Sequence, residues 1–309
     1  MYLRQHTLNK TVSCKGIGVH SGRTVKLKLK PARSNHGIRF VRTDLPGKPV
    51  IPAHFNSVVD TSMATVIGHE GCIVSTIEHL MACFAGFSID NALVELDAYE
   101  MPIMDGSARE FAHLLSRAGR RAQSGLRCVF NVKSPISHTA DGKSVCIYPA
   151  PAFKITCTID FDHPLIGRQS HTLEVDEKTF AEEICGARTF GFLHEYEQLK
   201  RFGLGRGCSL DNVVVVDRTQ VVNEDGLRFP DEFVRHKILD CIGDFSLLGM
   251  PILGHVVTHK SGHEFHHAFL KEFFKRQDAW ETMTLPDSED AALTPCPPLN
   301  PLAISSPIG

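Results

Sequence analysis

No two of the chain's ten cysteines are separated by just two residues, which removes zinc knuckles and Cys-x-x-Cys redox centres from consideration. No run reaches about eighteen apolar residues, so nothing in the sequence reads as a membrane-spanning helix. The opening Met1-Tyr2-Leu3-Arg4-Gln5-His6-Thr7 lacks the apolar core of a signal peptide. Basic charge is not in excess: 33 Lys and Arg face 35 Asp and Glu, a formal net charge of -2. That balance excludes the electrostatic footprint of a nucleic-acid binder. The hydrophobic share of 42% is ordinary for a soluble enzyme. These absences point to a cytoplasmic protein with reduced thiols.

What is present is enough chain, 309 residues, for two domains. Thr24 to Lys30 alternates apolar and polar residues, the pattern of a half-buried strand. Gly37 to Arg42 and Asn91 to Leu96 read as further strands, Val74 to Phe84 and Ala108 to Ala118 as helices. The polar stretch Arg120 to Gly125 reads as a linker. A second set follows: strands Ser144 to Tyr148, Phe153 to Phe161, Val213 to Val216 and Ile252 to Thr258, a long helix from Asp231 to Leu248, and a closing helix from His267 to Arg276. The organisation expected is α+β, with two similar domains over 1–122 and 126–280, each a sheet layered with two helices. Residues 285–309 carry Pro286, Pro295, Pro297, Pro298, Pro301 and Pro307 with little periodicity, the mark of a disordered tail. Gly16-Ile17-Gly18 and Gly203-Leu204-Gly205 approach a dinucleotide fingerprint, but no helix follows either, so both read as turns.

Two segments offer metal ligands. His236 and Asp240 stand four apart, on one face of the long helix, and Asp244 extends that face by a turn. Glu78-His79 adds an imidazole with a carboxylate beside it. Three protein ligands leave a zinc ion one open position, the arrangement of catalytic sites. The common alternative for His-x-x-x-Asp is a solvated helix pair. A competing site is His263-Glu264-Phe265-His266-His267, which satisfies the His-Glu-x-x-His pattern of zinc peptidases. Ser261-Gly262 directly before it suggests a motif straddling a helix start, where that geometry cannot form.

Seven segments, in order, carry a family resemblance: Ser75-Thr76-Ile77-Glu78-His79-Leu80, Ile89-Asp90-Asn91, Pro102-Ile103-Met104-Asp105-Gly106-Ser107-Ala108, Ala187-Arg188-Thr189-Phe190-Gly191-Phe192, Asn223-Glu224-Asp225-Gly226-Leu227-Arg228-Phe229, His236 to Asp244, and Lys260-Ser261-Gly262-His263. From the first residues to near Arg276 the chain resembles the UDP-3-O-acyl-N-acetylglucosamine deacetylases, zinc amidases of lipid A biosynthesis in Gram-negative bacteria. The resemblance implies two similar α+β domains with the active site in the cleft between them. It implies zinc on His79, His236 and Asp240, Glu78 as general base and His263 as general acid. Asp244 would orient His263, and Thr189 would donate to the oxyanion. Lys143, Asp160, Phe161 and Lys237 resemble residues around the uridine and diphosphate, and Phe192 one near the sugar and acyl chain. His266 and His267 depart from the asparagines common there, and Ala64 from a thiol or hydroxyl. Asp105-Gly106 reads better as a turn than as a catalytic pair.

The expected reaction is removal of an acetyl group from the nitrogen of an acylated UDP-N-acetylglucosamine by a zinc-dependent monomer with neither nucleic-acid nor membrane-spanning parts. A nucleotide-sugar binding protein with a structural metal is the rival, and it would need neither Glu78 nor His263.

Overall fold

The computed structural model of the chain describes residues 2–284 and the backbone of 294–295. The tail reading of 285–309 lies outside the described residues apart from that pair, which runs antiparallel to Met283 and Thr284. Alternation makes Thr24–Pro31 a strand: Val25, Leu27 and Leu29 are buried while Lys26 and Lys28 face water. It lies in a five-stranded sheet of spatial order Val12–Ile17, Thr24–Pro31, Ala92–Leu96, Ile38–Arg42, Val50–Pro52. Ala92–Leu96 is antiparallel to Thr24–Pro31 and parallel to Ile38–Arg42. Helices α1 (Glu78–Gly86) and α2 (Arg109–Ala118) share its hydrophobic core.

The second half contains α3 (Glu177–Thr179, a single turn), α4 (Leu193–Arg201), α5 (Glu232–Phe245) and α6 (His263–Lys275). Its sheet centres on Ile252–His259. Lys143–Tyr148 pairs antiparallel along one side of that strand. On the other side Cys128–Val132 runs parallel at its start and Phe153–Asp160 parallel over the rest. Strands Phe190–Phe192 and Val214–Val216 form a separate parallel pair that brackets α4. The architecture is α+β, sheets with helices packed on them, as the sequence pattern indicates.

Three element readings need correction. The first helix starts at Glu78, not Val74, because Ser75 is held in a bridge to Glu100 and Thr76 takes φ 61, a left-handed conformation no helix accepts. Arg120 to Gly125 is no free linker: Arg120–Leu126 is a strand antiparallel to Arg4–Leu8. Its polar side chains find partners, as where Asn91 donates to the Gln123 carbonyl oxygen, and this hid the strand from a hydrophobic-pattern reading. The closing helix begins at His263, four residues earlier than its apolar periodicity suggests, with extended Gly262 before it.

The two halves meet where α1 crosses α5. Almost every side chain of both helices is buried. Gly243 marks the contact: a Cβ there would stand 2.1 Å from the Glu78 backbone oxygen. That atom is helical backbone and cannot move aside as a flexible side chain could. Gly243→Ala should therefore force the helices apart, costing about 1–3 kcal/mol and loosening whatever α1 and α5 hold between them. Thermal denaturation with metal analysis checks this, and an unchanged Tm and metal content would refute it.

Candidate metal centre and active site

α5 carries His236, Asp240 and Asp244 on one face at four-residue steps, and α1 presents Glu78 and His79 to that face from its first turn. All five are buried. His79 Nε2 and His236 Nε2 lie 3.7 and 3.4 Å from Asp240 Oδ1, and the two rings meet edge to face at 5.0 Å. These separations exceed good hydrogen bonds. Ligands of a tetrahedral ion, each about 2.0–2.1 Å from it, would stand about 3.3 Å apart. The three groups thus fit a small cation. His236 is prepared for it: Nδ1 donates to the Ala187 carbonyl at 3.1 Å, leaving the Nε2 lone pair free. Burial lowers the His236 pKa to about 4, so the ring is neutral, as a ligand must be. Burial alone would raise Asp240, but its charged and hydrogen-bonding neighbours, Lys237 among them, hold the carboxylate well below its usual range.

A second group, Asp244 with His263 and His266, also clusters, but it is a hydrogen-bonded network. Asp244 Oδ2 accepts from His263 Nδ1 at 2.8 Å and from His266 Nδ1 at 2.7 Å, too close for ligands spread around one ion. Thr65 ties this network to Glu78: its hydroxyl donates to Asp244 Oδ1 at 2.5 Å and its backbone N–H to Glu78 Oε2 at 3.1 Å. Glu78 Oε1 stands 3.8 Å from His263 Nε2. Burial pushes the Glu78 pKa up, with His263 and His79 opposing it. Burial would lower His263, but Asp244, then Glu78 and Asp240, push it up to about 10. A carboxylate whose pKa burial raises and an imidazole whose pKa its carboxylate neighbours raise thus face each other beside the cation site.

The peptidase-like motif does form a helical turn, against the expectation that it straddles a helix start, yet it builds no second centre. Glu264 is exposed, and His267 Nε2 lies 3.0 Å from the Phe55 carbonyl oxygen. Of its residues only His263 and His266 reach the cluster.

The remaining site residues spread outward. Lys237 Nζ donates to Asp240 Oδ2 at 2.8 Å and sits 5.6 Å over the Phe190 ring. Phe161 and Phe192 join Phe190 in an aromatic group, at 5.6 Å for Phe161–Phe190 and 6.0 Å for Phe161–Phe192, and Phe190 continues to His236. Thr189 follows Ala187 by two residues, and its backbone is held by Gly106. Lys143 and Asp160 are exposed at the end of the second sheet from which Lys260 to His263 departs, and Asp160 is ion-paired with Lys260 at 2.8 Å. The structure does not bring these two into the cluster. Asp105 makes a turn, accepting from Ser107, and receives Arg228 from the other half.

Sequence reasoning missed Thr65, Phe190, His266 and the pair Arg188–Glu232. Glu232, in the first turn of α5, accepts from the Arg188 backbone N–H and from its guanidinium Nε and Nη2. This buried pair fixes the Ala187–Thr189 segment against α5. Arg188 and Phe190 lay inside a quoted motif, but a single sequence carries no signal for which neighbours of a motif residue point inward.

Residues 5–275 match the sequence model of the family described as UDP-3-O-acyl N-acetylglycosamine deacetylase. The chain is similar to the UDP-3-O-acyl-N-acetylglucosamine deacetylase of Myxococcus xanthus, 50% identical over 90% of this chain and 88% of that one. The proteins of that name from Syntrophotalea carbinolica and Syntrophus aciditrophicus are 48% and 44% identical, each over 93% of this chain and over 92% and 91% of their own. A match of that extent settles membership, and the chain belongs to the UDP-3-O-acyl N-acetylglycosamine deacetylase family.

Proposed function

We infer that this chain hydrolyses the N-acetyl group of UDP-3-O-acyl-N-acetylglucosamine, releasing acetate, in lipid A biosynthesis. The observation that carries the reading is the convergence of His79, His236 and Asp240 beside the Glu78–His263 pair. A binding protein has no use for an apposed proton acceptor and donor. Zinc suits two imidazoles, one carboxylate and an open fourth position, and when bound it would polarise the acetamide carbonyl and acidify water from about 15.7 towards about 7.

The chain's own groups do the rest. Glu78 accepts the proton of the attacking water, its Oε2 held by the Thr65 N–H so that Oε1 is directed inward. His263 donates from Nε2 to the departing nitrogen, because Asp244 grips Nδ1 and leaves only the far edge of the ring free. We assign Thr189 to the oxyanion, supported by its place beside the segment that orients His236. Lys237 and the rings of Phe161, Phe190 and Phe192 offer a cation and flat apolar faces for the nucleotide-sugar, with Lys143 and Asp160 at its outer end. No helix among the described residues is long and apolar enough to cross a membrane. We propose a monomer working in the cytoplasm.

Deacetylation of the UDP-sugar with and without chelator tests the whole reading. His79→Ala, His236→Ala and Asp240→Ala should each lower metal content and activity together, whereas His267→Ala should keep both. Metal retained in His236→Ala but lost in His267→Ala would move the centre to the peptidase-like motif.

The pH profile of kcat/KM should be bell-shaped. Glu78 works deprotonated, so activity falls as pH drops through its pKa, which burial raises. His263 works protonated, so activity falls as pH rises through its own, raised to about 10 without the ion. A bound dication favours the carboxylate and disfavours the imidazolium, moving both limbs down. Glu78→Gln and His263→Ala should keep metal and each cost roughly 10²-fold or more in rate. A full-rate Glu78→Gln would exclude it as the base.

We also propose that the acyl chain lies against the Phe192 to Ser209 segment. α4 buries none of its residues, and Leu193 and Phe202 are 47% and 73% exposed. Each chain methylene covered there should contribute about 0.8 kcal/mol. A substrate without the chain should lose kcat/KM accordingly, and equal turnover of the two would rule the passage out.

A further inference from the structure

The Asp244 carboxylate holds two imidazoles, and the reaction inferred above uses only one. His266 lies on the same helix, three residues beyond His263, and is buried. Its Nδ1 is 2.7 Å from Asp244 Oδ2, the oxygen that His263 Nδ1 approaches at 2.8 Å. A carboxylate only accepts, so both nitrogens direct a hydrogen at one oxygen. His266 Nε2 is 2.9 Å from the Ser261 hydroxyl, and the Phe245 ring packs at 5.9 Å. The ring is therefore held at both nitrogens and along one side. With Thr65 on Oδ1, Asp244 has no freedom to turn away from His263.

We propose that His266 is a positioning residue for the proton donor: by sharing Asp244 Oδ2 with His263 it fixes the carboxylate and limits its hold on the His263 proton. The proposal rests on the reading of His263 as donor. A general acid that grips its proton too tightly transfers it poorly. His263 already faces Asp244 and Asp240 from α5 and Glu78 from α1, with His79 beyond Glu78 and His267 on its own helix. These carboxylates outweigh the lowering effect of burial. A hydrogen bond from His266 takes up part of the Asp244 charge and offsets that excess. Without it, His263 becomes the weaker acid.

The test uses full-length, metal-loaded protein with nitrogen-labelled histidine. Its readouts are the His263 titration by NMR, the high-pH limb of kcat/KM, the metal content and Tm. His266→Leu keeps the volume without a donor and should raise both the titration and the limb by on the order of one pH unit, with kcat down about tenfold. His266→Asn, able to donate one N–H to Oδ2, should restore most of both. An unmoved His263 titration in His266→Leu at wild-type Tm overturns the proposal alone. A moved titration with an unmoved limb overturns His263 as donor, and the proposal with it. Should His266→Leu not fold, Ser261→Ala frees one end of the ring at little cost in volume. A smaller shift of the same sign supports the proposal, and no shift overturns it.

Discussion

Everything at the centre depends on how closely α1 and α5 approach. The absence of a side chain at Gly243 lets the Glu78 carbonyl sit where a Cβ would be. Each helix is a rigid ruler of 1.5 Å per residue, so one contact sets the positions of five functional groups at once. Glu78 and His79 ride on one ruler and His236, Asp240 and Asp244 on the other. A substitution that widened the crossing would move Glu78, His79, His236, Asp240 and Asp244 relative to one another. A packed interior has little slack to absorb such a change. The buried Arg188–Glu232 pair plays a complementary part, fixing the start of α5 to the segment whose Ala187 carbonyl orients His236.

Burying three carboxylates is costly unless each is answered. Glu78 receives the Thr65 N–H, Asp240 receives Lys237, and Asp244 receives Thr65, His263 and His266. If His79 and His236 bind a cation as neutral imidazoles and Glu78, Asp240 and Asp244 are ionised, these carboxylates outnumber the cations Lys237 and protonated His263 by one. A dication reverses that sign. The site would then carry a single net positive charge around the atoms where an acyl-transfer reaction develops a negative one. Electrostatic preorganisation of this kind needs no rearrangement during the reaction.

Much of this was legible in the sequence, and the reasons differ by residue. The His236, Asp240 and Asp244 series declares itself because helical period and chemistry coincide on one face. The strand Thr24–Pro31 is legible because its alternation is one-sided. The apolar spacing extends back from α1 through Ile77 and Val74, and a helix buried nearly all round has no polar face to mark its start. The boundary is set by the Ser75–Glu100 bridge and the left-handed Thr76, both consequences of tertiary structure. Arg120–Leu126 escaped because none of its side chains is buried and a backbone ladder to Arg4–Leu8 carries no hydrophobic signature.

Thr65 and His266 were illegible for a further reason: each matters through a hydrogen bond to a residue far away in sequence. Thr65 reaches Asp244 across 179 positions, and His266 reaches it across 22. Spacing within one segment reveals ligands that share a helix face, but it says nothing of who meets them from elsewhere. The His263 to His267 motif makes the same point in reverse. Its spacing is right for a zinc peptidase and its helix is formed, yet Glu264 faces solvent and His267 turns to the Phe55 carbonyl. What decides between the two readings is the partner opposite. His263 and His266 meet a buried carboxylate from α5, so two of the motif's histidines serve as hydrogen-bond donors and none as a ligand to a second ion.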